Sequence, residues 1–570
     1  MRRTVLGFAA ITTLGVLAGC GSAPRAGAGE PYDVVIRNGA VYDGSGSPPQ
    51  QVDIAVKGDR IVALLPAGSA AHAREVIDAK GMAVAPGFIN VLSWSTESLI
   101  ADGRGVSDTK QGVTLEIFGE GWSMGPLNPA MKAISLKMQS DIKYPIEWTT
   151  LGEYLDYLVR RGITPNVASF VGATTVRIHE LGEADVQPDA AQLARMQDLV
   201  RAAMREGALG VGASLIYPPA FYAKSDELIA LSKAAAELGG GYVAHMRSEG
   251  NKLLEAIDET LAIGRSTGQR VEAYHLKAAG EVNWPKMAQA IAKIEAARAE
   301  GIQASANMYT YTAGATGLSA SLPPWVQDGG HEAMIKRLKD PATRARLSSE
   351  IKVLSNDWEN LRLLTGSAER VLFLGFKNDK LKPLTGMTLG AVAKQRGTPV
   401  EDTIFDLIVE DDSRVETAYF LMSEENVELG LSRPWVSLGS DAESAAPEGV
   451  FLKSSTHPRA YGNFTRLLGH YARDRKLMPL EDAIHRMTGL PAENWKLTGR
   501  GCLKVDCYAD VVVFDPKAVA DHATYEKPQQ FATGVADVLV NGVVVLRGGE
   551  HTGAKPGRVV RGPGWTGAKK

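Results

Sequence analysis

Short apolar runs recur along the chain, separated by amphipathic stretches. Eight of them read as strands: Gly87–Leu92, Val113–Gly119, Val167–Val171, Ala208–Ser214, Tyr242–Met246, Val271–Leu276, Gln303–Tyr309 and Val436–Ser440. Helical patterns such as "ELIALSKAAAELG" and "KMAQAIAKIEAARAEG" separate several of them, each ending at Gly, an ordinary helix stop. Eight strands with intervening helices predict an α/β fold, a (β/α)8 TIM-type barrel over residues 86–490. The gap from Thr310 to Trp435 is long and carries its own helical patterns. It predicts a helical insertion between barrel strands 7 and 8, over residues 320–432, lying across the barrel mouth as a lid.

The two ends of the chain follow a different rhythm. "YDVVIRNGAVYDG" places short strands around Asn38-Gly39, a hairpin dipeptide, and "DIAVKGDRIVALLP" repeats the pattern around Gly58-Asp59. "YADVVVFDP" and "GVADVLVNGVVVLRGG", with Asn541-Gly542, resemble it near the other end. Residues 32–85 and 491–560 are therefore predicted to pair into one small β-sandwich domain, with the barrel inserted between them.

The 570-residue length suits a barrel with a smaller companion domain. With 45% hydrophobic and 22% charged residues, the composition is that of a soluble globular protein. With a net charge of −3, nothing argues for a nucleic-acid partner or a polybasic membrane patch, and no nucleic acid is expected. The first residues change the picture. Met1-Arg2-Arg3 is a charged start, Val5 to Ala18 is too short an apolar run for an ordinary spanning helix, and Leu17-Ala18-Gly19-Cys20 reads as a bacterial lipobox. Residues 1–20 are thus expected to be a lipoprotein signal peptide, with Cys20 the lipidated residue and residues 21–31 a Gly/Ala-rich tether. A plain secretory signal is the alternative. Either places the mature chain outside the cytoplasm. The lipoprotein reading anchors it to a bacterial membrane on the periplasmic or cell-envelope side. A disulfide between Cys502 and Cys507 is permitted there. Oligomeric state is not readable.

In a barrel of this kind chemistry sits at the C-terminal ends of the strands. The second strand runs into Glu120 ("EIFGEGWS"), the fifth ends at His245 ("YVAHMRSEG"), the sixth at His275 ("EAYHLKAAG") and the eighth at Asp441 ("SLGSDAES"). Singly, each has a structural explanation. Two histidines at consecutive strand ends, among only ten in the chain, point to a metal. Two imidazoles and a carboxylate suit a catalytic Zn2+, which takes three protein ligands and keeps one position open. The first strand is the puzzle. In many metal-dependent hydrolases it ends in Asp-x-His-x-His, whose imidazoles hold a metal. Here "VAPGFINVLSWSTESL" supplies Asn90, Leu92 and Trp94.

The segments "PGFIN", "QGVTLEIFGEGWSMGP", "AHMRSEG", "YHLKAAG", "MYTYTAG", "GSDA", "HPRAYGNFTRLLGHYARD" and "MTGLPAENWKLTGRG…YADVVVFDP" occur in this order. With them the chain resembles the D-aminoacylase branch of the amidohydrolase superfamily, the N-acyl-D-amino-acid deacylases, from about Tyr32 to Gly548. The resemblance implies metal-dependent hydrolysis of a C–N amide bond. It makes His245 and His275 metal ligands and Asp441 the general base. It puts Lys277, Tyr309 or Tyr311, and Arg459 where family members bind the substrate's carboxylate and carbonyl, so the partner expected is a small molecule carrying a carboxylate. Two departures stand out. The first-strand histidines are missing, so the weaker metal site is expected to be absent, leaving one Zn2+ per chain. The family's bridging Cys corresponds to Glu120, an oxygen ligand zinc accepts. The loop Ala442 to Thr456 is longer than usual in the branch, and Trp94 and Trp122 are expected near the mouth, packing an acyl group or filling the space of the lost metal. Dihydroorotase-, hydantoinase- or dipeptidase-like hydrolysis is an alternative, as is a non-catalytic lipid-anchored binding protein.

Overall fold

The computed structural model describes residues 31–567. The expected signal peptide, Cys20 and all but the last residue of the expected tether lie outside the described residues. Eight parallel strands fall on the eight spans read from the sequence, the third and fifth starting one residue earlier: Phe88–Asn90, Val113–Phe118, Asn166–Ser169, Gly210–Ser214, Gly241–His245, Val271–Ala273, Ala304–Met308 and Val436–Leu438. Each pairs in parallel with its sequence neighbour, for example Ala213 with Ala244 and Asn307 with Ser437. Strands three and four are linked through the short Val171–Gly172 strand. The first and eighth strands meet again, through Val91 N–H to Leu438 O at 3.3 Å and a parallel bridge between Ser93 and Ala442. The run thus returns on itself, as a β/α barrel requires. Helices such as Ala190–Arg205, Ser225–Ala236, Leu253–Thr267 and Lys286–Ala299 connect the strands on the outside.

The inward side chains form a dense core. Ile89, Val91, Leu92, Leu115, Ile117, Ala168, Phe170, Leu209, Val243 and Tyr274 cluster with Trp495, which sits edge-on to Phe170 at 4.8 Å. Full burial of a Val, Leu, Ile or Phe is worth about 1.5–3 kcal/mol. Leu92, where the expected motif would place a histidine, is one of these core residues and fully buried.

The chain ends share a ten-stranded sheet. Six strands between Tyr32 and Pro86 join four between Val511 and His551, and the seam pairs Val512 with Ala85 antiparallel. Val34, Ile54, Val56, Leu503, Val511 and Leu539 fill one apolar cluster from both ends. Cys502 and Cys507 are joined as a disulfide. Asn541-Gly542 is a true hairpin, with Val540 opposite Val543 and φ positive at both turn residues. Asn38-Gly39 is not. Its flanking strands each pair elsewhere, Tyr32–Arg37 with Gln50–Lys57 and Ala40–Val41 with Ala83–Pro86. The Asn38 amide is taken up by Asp78 at 2.8 Å. Residues beyond the sheet return to the barrel, where Val560 N–H reaches Val167 O.

The segment between strands seven and eight is not purely helical. Ala313–Gly317, Val371–Gly375 and Glu416–Phe420 form a three-stranded antiparallel sheet, which begins ahead of the expected residue 320. Local helical periodicity could not reveal it, because its strands come from distant parts of the insertion.

Candidate active site

Glu120 leaves the second strand between two glycines that the turn requires. Gly119 has φ +107° and a side chain there would meet Phe170 O; Gly121 has φ +73° and faces Ser214. Ser214 Oγ donates to Glu120 O at 2.6 Å and fixes the turn. His245 is the last residue of the fifth strand. His275 lies just past the sixth, at φ +35°, and Asp441 past the eighth, at φ +50°. Non-glycine residues held there cost about 1–3 kcal/mol each and persist only where their surroundings fix them. Here they are fixed: His275 N–H donates to Asn307 Oδ1 at 2.8 Å, and Asp441 N–H to Leu92 O at 2.8 Å.

The side chains converge. Glu120 Oε1 lies 2.7 Å from His275 Nε2 and 3.1 Å from His245 Nδ1. One ligand atom from each of Glu120, His245 and His275 falls within 4.8 Å of the others, and all three side chains are buried. A carboxylate oxygen facing two imidazole nitrogens is a donor set that fits a divalent metal. Burial alone would raise Glu120, but the two imidazoles hold its carboxyl well below the usual carboxylate range.

Behind the histidines stands a residue the sequence reading passed over. Glu249, four positions after His245 in "HMRSEG", has Oε1 2.9 Å from His275 Nδ1 and accepts from Lys277 Nζ at 2.6 Å. Glu249 Oε1 and Lys277 Nζ, the latter 2.7 Å from the same Nδ1, both back onto the ring and leave Nε2 facing Glu120; a carboxylate behind the imidazole orients metal-ligating histidines elsewhere. Burial and the Lys277 ammonium favour neutral His275, but Glu249, Glu120 and Asp441 outweigh them and hold its pKa up at about 9. Glu249 is itself held low against its burial by Lys277 and the two histidines. The insertion reaches this point: Glu359 Oε1 accepts from Ser248 Oγ at 2.6 Å and from Glu249 N–H at 2.7 Å. Lys277 is therefore brought to the cluster, but as a partner of Glu249 and His275.

The opposite side is built by Asp441, Arg459 and Trp94. Arg459 Nη1 is 2.9 Å from Asp441 Oδ2, and its guanidinium lies 4.5 Å from the centre of the Tyr309 ring. Arg459 is buried, yet its Nε and Nη1 find no well-directed hydrogen-bond acceptor. Burial raises the Asp441 carboxyl above its ordinary value; Arg459 opposes this and Glu120 adds to it. Trp94 Nε1–H donates to both Glu120 Oε2, at 3.0 Å, and Asp441 Oδ1, at 3.1 Å. Of the two tyrosines left open by the sequence, Tyr309 is the one near the cluster, its ring 6.3 Å from that of His275. The Tyr311 hydroxyl is instead engaged by Asp521 at 2.8 Å. The two tryptophans also part: Trp94 lines the site, whereas Trp122 is 38% exposed.

With this geometry in hand, known proteins are informative. Residues 380–546 match the model of the amidohydrolase family. The chain is 33% identical over 533 residues to a D-aminoacylase of Alcaligenes xylosoxydans xylosoxydans, covering 93% of this chain and 98% of that protein. A solved D-aminoacylase superposes with a TM-score of 0.77 at 31% identity, over 93% of this chain and all of that one; it has a binuclear metal centre with one-metal activation and second-metal attenuation. An N-acyl-D-glutamate deacylase from Bordetella bronchiseptica, in complex with zinc and a phosphonate mimic of the tetrahedral intermediate, superposes at 0.76 with 29% identity over 93% of this chain and all of that one.

Proposed function

The chain belongs to the D-aminoacylase family of amidohydrolases, and from that premise we propose that it is a zinc-dependent deacylase of N-acyl-D-amino acids, working with one metal ion. The observation that carries the reading is the convergence of Glu120, His245 and His275 opposite Asp441 and Arg459. Glu120, His245 and His275 would hold the zinc, with Glu249 orienting His275. Bound there, zinc supplies Lewis-acid polarisation of a carbonyl and lowers the pKa of water.

The protein's own groups do the rest. Asp441, deprotonated, takes a proton from the attacking water and returns it to the departing nitrogen. Its backbone hydrogen bond to Leu92 O and the Trp94 N–H hold the carboxylate in place for both transfers. Arg459 binds the substrate carboxylate through N–H groups that make no well-directed hydrogen bond within the protein, its planar fork matching two oxygens at once. Tyr309, stacked beneath that guanidinium, offers its hydroxyl to the carbonyl oxygen as charge develops there. Lys277 is held by Glu249 and adds positive charge beside His275 rather than a free substrate contact.

The same reading covers the envelope. The Leu17-Ala18-Gly19-Cys20 lipobox and the Cys502–Cys507 disulfide support a chain tethered at Cys20 on the outer side of a bacterial membrane. The insertion, resting through Glu359 on the loop that carries Glu249, serves as the lid. Among the described residues no helix is long and apolar enough to cross a membrane.

The test is a substrate panel on zinc-loaded protein starting at Gly21: N-acetyl-D-amino acids, their L-enantiomers, a hydantoin and dihydroorotate. Release of free amino acid from the D-series, at least about tenfold faster in kcat/KM than from the L-series, is expected. Turnover of the cyclic amides alone would replace this reading, and binding of N-acyl-D-amino acids without turnover would make the chain a binding protein.

A further inference from the structure

Glu120 and Asp441 divide their oxygens in the same way. Glu120 turns Oε1 to the two imidazoles, and Asp441 turns Oδ2 to Arg459. The remaining oxygens, Glu120 Oε2 and Asp441 Oδ1, both accept from one hydrogen, that of Trp94 Nε1. Two carboxylate oxygens aimed at one point in a buried setting repel each other and form, by their chemistry, a place for a cation. Here that place holds a neutral indole. The backbone that carries it is anchored at the barrel seam: the Trp94 backbone N–H donates to Ala442 O at 3.0 Å, the neighbouring Ser93 bridges to Ala442, and Ser93 Oγ reaches Glu116 at 2.5 Å. The two indole hydrogen bonds hold the ring itself in the gap.

We propose that Trp94 is a positioning residue that acts in two ways. Its N–H aims Asp441 Oδ1 and Glu120 Oε2, and its ring closes the gap between them to a second divalent ion, so that the enzyme is restricted to one metal by its own side chain. The inference rests on the zinc ligands proposed above. It goes further in assigning the second carboxylate pair to an indole rather than to an ion.

Equilibrium dialysis and steady-state kinetics test it together. Wild type holds one zinc per chain, and a large excess of zinc adds no second ion. Trp94→Phe keeps a ring in the gap and loses only the donor. It still binds one zinc, keeps KM within about twofold, and loses kcat by roughly tenfold, the scale of one buried hydrogen bond. Trp94→Ala removes the ring, and excess zinc then fills a second site. A second zinc bound by wild type, or wild-type kcat in Trp94→Phe, overturns the proposal; the first also removes the one-metal count, and both leave the deacylase activity itself intact. No zinc in folded wild type removes the deacylase reading itself. The wild-type count needs no variant, so the test survives if either substitution fails to fold.

Discussion

The two sides of the candidate site are built from the same barrel but on opposite plans. At the ends of the fifth and sixth strands, every charged group meets another, although His245 Nε2 makes no hydrogen bond of its own. His245 and His275 face Glu120, His275 backs onto Glu249, and Glu249 is bound by Lys277. Where the first and eighth strands meet, the partners run short. Asp441 has one cation and one neutral donor, and Arg459 keeps its buried Nε–H without an acceptor. An unpaired buried donor costs about 1–3 kcal/mol. A fold tolerates that cost where an incoming group removes it. The difference teaches a division of labour. The saturated side is organised to hold an ion whether or not substrate is present, and the unsaturated side is organised to receive a substrate anion.

This contrast can be broken experimentally. The largest effect falls on the saturated side: Glu120→Ala or His275→Ala loses the metal, by elemental analysis, and activity drops to background. Asp441→Asn should leave metal content unchanged while kcat falls by about 10^2–10^4, the usual worth of a general base. Were the metal lost as well, the two sides would not be separable. Glu249→Gln should weaken zinc binding by about 10–100-fold in a chelator competition, since it orients a ligand without being one. Arg459→Lys keeps the charge beside Asp441 and loses the fork. KM for an N-acyl-D-amino acid should rise roughly tenfold with a smaller change in kcat. The smallest effect is on pH. Asp441 must be deprotonated to act, and its pKa lies above the ordinary carboxylate value because burial outweighs Arg459. The acid limb of kcat/KM should therefore sit at higher pH than for an exposed Asp. Arg459→Met, which removes the opposing charge, should move it higher still.

Much of this was legible in the sequence for one reason. Barrel strands stand out as short, largely apolar runs, so an ionisable residue where such a run ends falls at the barrel mouth, and Glu120, His245, His275 and Asp441 each stand at such an end, whereas Glu116 and Glu272 lie inside their strands. What escaped depends on contacts that no local pattern carries. Glu249 lies in a quoted motif, yet its role comes from packing against His275, 26 residues further along the chain. Trp94 reads as a bulky filler, and only the placement of its N–H between two carboxylates gives it a polar task. Tyr309 and Tyr311 are equivalent by spacing. They diverge because Thr310, between them, is tied to Asn463 at 2.9 Å and the chain leaves the strand there. The insertion sheet escaped because "AGATG" has no apolar alternation and pairs with Glu416–Phe420, a hundred residues later.

The most direct test of the account is metal content per chain, measured on wild type starting at Gly21 and on Glu120→Ala after zinc loading and removal of excess. The account predicts one tightly held zinc in wild type and none in the variant. A folded wild type without zinc, or a Glu120→Ala variant that retains it, would contradict the claim that Glu120, His245 and His275 form the metal centre.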